Sequence, residues 1–555
     1  MYSKKLAVQI LGEMLYRYGI TDMVISPGSR NAPLTIHFSQ HSEYKCYSIT
    51  DERSAAFFAL GMAQSKRKPV AICCTSGTAS ANYYPAIIEA FYQNVPLLVI
   101  TADRPENFVD IFDGQTIRQK DIYKNHIYGS FQISESEEDQ DVTDNFLTIK
   151  KAVQTAILQS GPVHINFPFS EPLYEQTDSL GITIEQLAQP EKKFNSETWH
   201  PLLSQWNQYD KKMVLVGMQP PDPYFSKLLE ELAKRQDTVI LTEITSNLNS
   251  PEFYPNIDRY VFPFGEEKMD EYKPDLLLTI GQNVVSKKIK VFLRNSKLKA
   301  HWHLDSFWHP DTYFSLTEKI EDQPISFLTE LIQVPQKTSD YSSKWKEIKR
   351  IKERKHQLFI ENLTYSDLQA IHTINKYLPD YYNLQVSNSS MIRYTQLFNF
   401  NKQNKIFCNR GASGIDGSTS TAVGFAVADS NPTVLITGDV GFFYDSNALW
   451  NKYLPSNFRI ILLNNGGGDI FKIIPGPDST DALDEYFVTR HHRTAKLLAE
   501  EYQLEYKEVS SSDELSSYLA TFFEKSSSPK LLEINTKHCD NSTLLRNYFN
   551  FLNPS

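Results

Sequence analysis

Short apolar runs rich in β-branched residues alternate with helix-length segments along most of this chain, and that alternation constrains the fold more than any other feature. Residues 433–437 (TVLIT) and 460–463 (IILL) show it best, because both runs end on polar and glycine residues. A helix-length segment separates them. The order strand, helix, strand predicts two parallel strands joined by a crossover.

The same alternation occurs in three parts of the chain and predicts an α/β fold with three doubly wound parallel-sheet domains. We predict domains over residues 1–175, 197–335 and 360–555. A linker is expected over residues 175–196, and a solvated linker with a charged helix face over residues 335–357. The predicted strands cover residues 23–26, 46–49, 70–75, 97–101, 163–167, 213–216, 239–241, 276–280, 300–304, 384–386, 406–408, 434–437, 460–463, 506–509 and 531–534.

Chain length and net charge limit the number of domains and the kinds of molecule that the protein could bind. A chain of 555 residues is long enough for about three domains. Its formal net charge of -10 argues against nucleic acid or an anionic membrane as a partner. Small anionic substrates would therefore need a local basic pocket.

Cysteine usage and the amino terminus indicate a cytoplasmic protein. The five cysteines form no CxxC pair, and their odd, scattered count fits a reducing compartment. The first 20 residues have apolar positions at helical spacing with no small-residue cleavage site after them, which predicts a helix rather than a leader. No apolar run approaches the roughly 18 residues of a membrane span, so we expect no membrane insertion.

Polar residues follow both strands of the unit described first. Because parallel strands open into a common crevice at their carboxyl ends, we expect Asp439 and Asn465 to meet there. One carboxylate, one amide oxygen and the Gly467 carbonyl suit Mg²⁺, and Mn²⁺ accepts the same oxygen donors. Either motif alone is more often a strand-end turn or a flexible loop. Both at this separation favour a metal site.

Together the two motifs resemble the GD…NN signature of thiamine diphosphate enzymes, although Val440 replaces the glycine that many of these enzymes have after the aspartate. Longer stretches are similar to one family, the 2-succinyl-5-enolpyruvyl-6-hydroxy-3-cyclohexene-1-carboxylate synthases of menaquinone synthesis. The similarity is close in the first and third predicted domains and loose in the middle one. The stretches are SPGSRNAPLT (26–35), TSGTASANYYPAIIEA (75–90), TADRPENFVDIFDGQTIRQ (101–119), NRGASGIDGSTSTAVGFA (409–426) and GDVGFFYDSNAL (438–449).

The resemblance implies a reaction and an assembly. The family decarboxylates 2-oxoglutarate and adds the succinyl-semialdehyde unit to isochorismate by conjugate addition. Residues 1–175 would bind the pyrimidine of thiamine diphosphate, residues 360–555 the diphosphate and metal, and residues 197–335 would be a spacer. The family's site lies between the first domain of one subunit and the third of another, so a homodimer is the smallest active unit implied. A homotetramer is equally compatible.

The resemblance also assigns cofactor contacts. Glu52 matches the glutamate that acts on the aminopyrimidine ring and is the catalytic candidate, although the helix dipole alone would favour an acid there. Ile415 matches the apolar residue over which the cofactor bends. Ile470 and Phe471 match the apolar wall near the reacting centre. Asp439, Asn465 and Gly467 are cofactor contacts through the metal.

Both implied substrates are dicarboxylates, so the pocket must be basic. An arginine that grips a carboxylate bidentately contributes roughly 1.5–3 kcal/mol. A single arginine is more often a surface residue, but four in family-matching loops favour a pocket. Lys287 is the candidate from the middle domain, with Lys288 as its alternative, because SKK gives two lysines and the middle domain aligns poorly. The substrate candidates are Ser29, Arg30, Arg104, Gln115, Lys287, Asn388, Ser389, Arg393, Arg410 and Phe471.

Two other functions stay open at this point. An acetolactate synthase or a 2-oxoacid decarboxylase would share Glu52, Asp439 and Asn465 but would lack the arginine set. A non-catalytic binding protein could keep the same fold, since glycines and acids also serve turns and helix caps.

Overall fold

Three parallel β-sheets organise the part of the chain that the computed structural model describes, residues 1–261, 270–474 and 476–552. Each sheet is built from a strand-helix alternation, and the hydrophobic cores lie between the sheets and their helices. The predicted α/β class with three parallel-sheet domains is confirmed.

The first sheet lies in the amino-terminal part. Its segment has strands β1 (Tyr2–Ser3), β2 (Asp22–Ile25), β3 (Lys45–Ser48), β4 (Val70–Cys74), β5 (Leu97–Asp103), β6 (Ser130–Gln132), β7 (Val163–Pro168) and β8 (Gln176–Thr177). The α-helices are Leu6–Arg17, Ala32–Gln40, Glu52–Lys66, Thr78–Asn82, Tyr84–Gln93 and Asp139–Gln159. The strand order is β3-β2-β4-β5-β7-β6, and β1 pairs with β8 as a separate antiparallel ribbon.

The middle sheet has strands β9 (Lys212–Val216), β10 (Thr238–Thr242), β11 (Leu276–Ile280), β12 (Ala300–Asp305) and β13 (Glu318–Glu321) in the order β10-β9-β11-β12-β13. The described α-helices of this segment are His200–Trp206, Pro223–Ala233, Ile257–Tyr260, Lys287–Asn295, Pro324–Leu331 and Tyr341–Ile360. The last helix starts inside the stretch predicted as a solvated linker. It buries Tyr341 and Trp345 in the core of the middle sheet, so its charges occupy only the outer face.

The third sheet has strands β14 (Asn383–Val386), β15 (Lys405–Phe407), β16 (Thr433–Gly438), β17 (Arg459–Asn464), β18 (Glu505–Val509) and β19 (Lys530–Asn535). The described α-helices are Asp367–Tyr377, Ser390–Thr395, Ser418–Ala428, Asp439–Tyr444, Lys496–Glu501, Ser512–Phe522 and Asn541–Leu552. The order is β15-β14-β16-β17-β19-β18. The crossover from β16 to β17 contains less helix than predicted. A short helix, Asp439–Tyr444, is followed by a 3₁₀ turn, Ser446–Leu449.

The first and third sheets share one topology. When strands are counted within each sheet, both have the order 2-1-3-4-6-5. In both, the chain reverses its direction of winding between the first and third strands, β2 and β4 in one sheet and β14 and β16 in the other. Ligand crevices open at such switch points, at the carboxyl ends of the strands.

Two closely packed helices join the first and third sheets. A Cβ on Gly61 of the helix Glu52–Lys66 would lie 2.0 Å from the Thr421 carbonyl oxygen of the helix Ser418–Ala428. A Cβ on Gly424 would lie 1.9 Å from the Phe58 carbonyl oxygen. Glycine is therefore required at both crossing points, and one hydrophobic cluster runs through both domains.

The sequence did not reveal the short strands β6 and β13, which are largely exposed and have few apolar residues. The amino-terminal segment forms the predicted helix, Leu6–Arg17. Within the described ranges, no helix has both the length and the apolar character to cross a bilayer.

Candidate functional site

Asp439 joins the ends of two neighbouring strands. It directly follows β16, whose last residue Gly438 is in register with Leu463 of β17. One oxygen of its buried carboxylate, Oδ2, accepts hydrogen bonds from the backbone N–H groups of Gly466 (2.7 Å) and Gly467 (3.0 Å). The carboxylate thus lies against the glycine run that follows β17.

Asn465 has a buried amide oxygen that no residue in the described ranges satisfies. Its Nδ2 donates to Asp367 Oδ2 at 2.9 Å, while its Oδ1 is buried and accepts no hydrogen bond from the described residues. A buried acceptor without a partner is costly, and a cation would satisfy it. The preceding Asn464 differs, because its Nδ2 donates to Glu533 Oε1 (2.5 Å) and to the Arg493 carbonyl oxygen (2.9 Å). The Asn464 amide therefore stabilises the loop through these hydrogen bonds and is not a candidate metal ligand.

Gly467 can only be glycine. Its φ is +154°, and a Cβ there would lie 2.6 Å from the Val488 carbonyl oxygen. The imidazole Nε2 of His491 lies 3.3 Å from Asp439 Oδ2. The same oxygen thus contacts His491 as well as the two glycine N–H groups. A carboxylate, an amide oxygen and a loop carbonyl form a donor set that fits Mg²⁺.

The predicted apolar contacts border this donor set. Ile415 is 39% exposed, and its carbonyl oxygen lies 3.5 Å from where a Cβ of Gly441 would be, on the helix that starts at Asp439. Ile470 is buried on the 3₁₀ turn Asp469–Lys472, and Phe471 packs on Phe487 with ring centroids 5.6 Å apart. Ile415 lies on the loop after β15, and Ile470 and Phe471 lie on the loop after β17.

Glu52 is the first residue of the helix after β3. The preceding Asp51 caps this helix, since its Oδ1 accepts from the backbone N–H of Arg53 (2.9 Å) and Ser54 (3.2 Å). The Glu52 side chain is not needed as the cap. Its Oε2 accepts from Asn82 Nδ2 at 3.4 Å, and the residue is half-buried in the single chain.

Two predicted arginines share the crevice of the first sheet. Arg30 is buried after β2, and its Nη1 donates to the Phe169 carbonyl oxygen at 2.8 Å and pairs with Glu171 at 3.2 Å. Arg104 follows β5, and its Nε lies 3.4 Å from Asp113 Oδ2. Burial and the neighbouring Arg104 charge lower the pKa of Arg30. The two guanidinium groups are therefore close enough to repel each other electrostatically.

The polar candidates of the first domain lie beside these arginines. Ser29 is exposed on the loop after β2. Gln115 has a positive φ of 54°, and its carbonyl oxygen lies 3.1 Å from where a Cβ of Gly77 would be. Gly77 follows β4, and the Arg30 N–H donates to Thr75 Oγ1 at 3.2 Å. The loops after β2, β4 and β5 therefore converge at the switch point of the first sheet.

Asn388 and Arg410 form a linked pair in the third domain. Arg410 Nη1 donates to Asn388 Oδ1 at 2.8 Å, and Asn388 Nδ2 donates to the carbonyl oxygens of Asn409 and Gly414, each at 2.6 Å. The loop after β14 is thereby joined to the loop after β15. The Nε of Arg410 is buried and donates to none of the described residues.

Arg393 lies close to that pair. Its Nη1 donates to the Ser389 carbonyl oxygen at 2.5 Å, and burial together with the Arg410 charge lowers its pKa. Ser389 has a φ of 68°, a strained conformation for a residue with a Cβ and one that often occurs at functional sites. The third-domain crevice therefore has two guanidinium groups, as the first-domain crevice does.

The two candidate lysines of the middle domain differ in environment. Lys287 is exposed at the start of the helix Lys287–Asn295. Lys288 Nζ lies 2.9 Å from the centroid of the Phe549 ring, and burial lowers its pKa to about 7. The exposed Lys287 stays the predicted substrate contact, with Lys288 as its alternative.

Glu89 is a positioning residue that sequence reasoning missed. It is buried on the helix Tyr84–Gln93 of the first domain, where burial raises its pKa. Its carboxylate accepts from the backbone N–H groups of Gly411 (2.6 Å) and Ala412 (2.7 Å), on the loop that bears Arg410. The only signal in the sequence is one acid within the otherwise apolar run AIIEAF.

We expect Glu89→Gln to lower the free energy of unfolding by about 1–3 kcal/mol, because an amide NH₂ then faces a backbone N–H in a buried site. Thermal unfolding of the purified protein measures this. Glu43→Gln, at an exposed position of the same domain, serves as the control and should leave the midpoint unchanged. Equal midpoints for both variants would contradict the proposed anchoring.

Two family models match the parts of the chain that contain the crevices. The model described as thiamine pyrophosphate enzyme, N-terminal TPP binding domain, matches residues 6–127. The model described as thiamine pyrophosphate enzyme, C-terminal TPP binding domain, matches residues 386–534. All the predicted site residues except Lys287 lie within these two ranges.

Several curated proteins are similar over nearly their whole length, and each is named 2-succinyl-5-enolpyruvyl-6-hydroxy-3-cyclohexene-1-carboxylate synthase. The protein of Flavobacterium johnsoniae is 44% identical over 553 residues, which are 99% of each chain. That of Christiangramia forsetii is 44% identical over 573 residues, again 99% of each chain. That of Porphyromonas gingivalis is 36% identical over 569 residues, 99% of this chain and 98% of the relative. The similarity includes the middle domain.

Proposed function

Because the chain belongs to the 2-succinyl-5-enolpyruvyl-6-hydroxy-3-cyclohexene-1-carboxylate synthase family of thiamine diphosphate enzymes, we propose that it decarboxylates 2-oxoglutarate and adds the succinyl-semialdehyde unit to isochorismate. This is a transferase reaction of menaquinone biosynthesis. The observation that supports it most directly is the placement of two arginines after strands of each sheet, Arg30 and Arg104 in the first and Arg393 and Arg410 in the third. Both substrates are dicarboxylates, and paired guanidinium groups suit them.

We propose that Asp439, Asn465 and the Gly467 carbonyl hold Mg²⁺, with Mn²⁺ as a substitute that the same donors accept. The buried Oδ1 of Asn465, which accepts no hydrogen bond from the described part of the chain, supports this assignment. When bound, thiamine diphosphate supplies the electron sink that decarboxylation of a 2-oxoacid requires. The loops that carry Asp439 and Asn465 would hold its diphosphate end, and Ile415 borders the same crevice.

Glu52 is the residue that we assign to proton transfer. Asp51, and not Glu52, caps the helix, so the Glu52 carboxyl group is left for another role. In the proposed role it holds a proton at one oxygen and releases it. The arginines orient the substrate carboxylates by charge-assisted hydrogen bonds, and Lys287 adds positive charge from the middle domain. Ile470 and Phe471 exclude water from the reacting centre and thereby strengthen these charge interactions.

We also propose that the working unit is a homodimer or a homotetramer in the cytoplasm. Ile111 is 61% exposed and Phe112 is fully exposed on the loop between Arg104 and Gln115. Large apolar side chains exposed on the loop that carries two predicted substrate contacts favour a second subunit that covers them. All five cysteines of the chain, every one of them in the described ranges, are free thiols, which fits a reducing compartment.

The basic pocket is tested by replacing Arg410. We expect Arg410→Ala to raise the KM for a dicarboxylate substrate about 10- to 100-fold, the loss that one charge-assisted contact of this kind produces. Arg410→Lys keeps the positive charge, so we expect its KM to lie between those of the wild type and Arg410→Ala. Steady-state rates with 2-oxoglutarate and isochorismate measure both variants. Arg546→Ala, on the surface of the last helix, is the control.

Unchanged turnover of both substrates in Arg410→Ala would contradict the role of Arg410 in the pocket. A wild-type protein that binds the cofactor but turns over neither substrate would favour an acetolactate synthase-like or decarboxylase activity. A non-catalytic binding protein is tested by thermal shift. A cofactor that binds only the folded state must raise the midpoint, so we expect thiamine diphosphate with Mg²⁺ to raise it. No shift at saturating cofactor would exclude the proposed enzyme.

A further inference from the structure

We propose that Asp367 is a positioning residue that fixes the side-chain amide of Asn465, so that the amide oxygen and not the nitrogen faces the metal site. The inference rests on the metal site under the proposed function and adds a residue outside the donor set. Asp367 lies 98 residues before Asn465 in the chain and belongs to another element, the helix Asp367–Tyr377.

Asp367 is fully buried and held by several elements. Its Oδ2 accepts from Asn465 Nδ2 at 2.9 Å, and its Oδ1 accepts from Thr536 Oγ1 at 2.6 Å, just after β19. Its backbone N–H donates to Asn541 Oδ1 at 2.8 Å, at the start of the last helix. The carboxylate is therefore held by two segments of the third domain, and the backbone of Asp367 by a third.

This arrangement determines which way the Asn465 amide points. A carboxylate only accepts hydrogen bonds, so the NH₂ group of Asn465 must face Asp367. The opposite orientation would place two oxygens against each other. The Oδ1 of Asn465 is thereby directed away from Asp367, and it is the buried oxygen that no described residue satisfies. Partners of this kind orient metal ligands in many proteins.

A purely structural role explains Asp367 less well. The cap of its helix is the preceding Ser366, whose Oγ accepts from the Gln369 N–H at 3.2 Å. A buried carboxylate is costly to keep, and the charges of Asp439 and Asp469 add to that cost at this position. A divalent cation held by Asp439 and Asn465 would offset the clustered negative charge.

The test measures Mg²⁺ affinity by calorimetry at saturating thiamine diphosphate, and does not depend on turnover. We expect Asp367→Asn to weaken Mg²⁺ binding about 10- to 100-fold, because an amide at position 367 no longer fixes the direction of the Asn465 amide. Thr536→Val removes the other side-chain hydrogen bond to the same carboxylate and is the matched control. We expect it to stay within about threefold of the wild type.

A swapped pair separates positioning from a general loss of packing. In the double variant Asp367→Asn with Asn465→Asp, the amide donates from the other side and a carboxylate oxygen faces the metal. We expect this pair to bind Mg²⁺ more tightly than Asp367→Asn alone. Melting of every variant in EDTA, without cofactor, shows whether the fold is retained.

Two results would overturn the inference while leaving the metal site intact: wild-type affinity in Asp367→Asn, or no recovery in the swapped pair. A wild-type protein that binds no Mg²⁺ in the presence of thiamine diphosphate would instead overturn the metal site itself. The positioning role of Asp367 would fall with it.

Discussion

Replacing Asp439 with alanine is expected to abolish the rise in melting midpoint that thiamine diphosphate and Mg²⁺ produce, and to lower turnover by at least about 100-fold. The substitution removes the one carboxylate of the proposed donor set. It also removes the Asp439 carboxylate that accepts from the N–H groups of Gly466 and Gly467, so the loop after β17 loses these hydrogen bonds to the residue that follows β16. Thermal shift with and without cofactor, followed by steady-state assay, measures both effects.

Asp513→Ala is the control for that experiment, since Asp513 is exposed in the first turn of the helix Ser512–Phe522 in the same domain. It should keep both the cofactor shift and the turnover. A cofactor shift of wild-type size in Asp439→Ala would show that the proposed metal site is in the wrong place.

Glu52→Gln is expected to reduce turnover by about 10²- to 10⁴-fold while the cofactor-induced rise in midpoint is retained. The amide has the shape of the carboxyl group and keeps an oxygen for Asn82, but it cannot hold and release a proton. Asp51 continues to cap the helix, so the fold should be unaffected. Steady-state rates together with thermal shift separate chemistry from binding.

Glu43→Gln again provides an exposed acid of the same domain for comparison, and it should leave the rate unchanged. If Glu52→Gln turned over at the wild-type rate, proton transfer would have to be assigned to another group. If it lost both rate and cofactor shift, Glu52 would be a binding residue rather than the proton-transfer residue.

The fold class was predictable because local patterns reveal buried parallel strands. Each predicted strand is an apolar run that coincides with an observed one, whereas the exposed β6 and β13 lack that pattern. Asp439 and Asn465 could be predicted as neighbours for a related reason. Both directly follow such strands, and adjacent parallel strands bring their carboxyl ends to one edge.

The residues that hold the site in place were not predictable in this way. Glu89 reaches the Gly411 N–H over 322 residues of sequence, and nothing local distinguishes it from a helix-surface acid. Asp367 follows a serine at a helix start, where an acid is ordinarily favoured by the helix dipole. Their partners are set by tertiary packing, which a local pattern does not encode.

The most direct test of the proposed reaction is consumption of 2-oxoglutarate by the purified protein with thiamine diphosphate and Mg²⁺, with and without isochorismate, the product being identified by mass. We expect rapid consumption only when isochorismate is present, with formation of 2-succinyl-5-enolpyruvyl-6-hydroxy-3-cyclohexene-1-carboxylate. Cofactor binding without consumption of either substrate would contradict the proposed reaction and leave the family's fold with a different substrate.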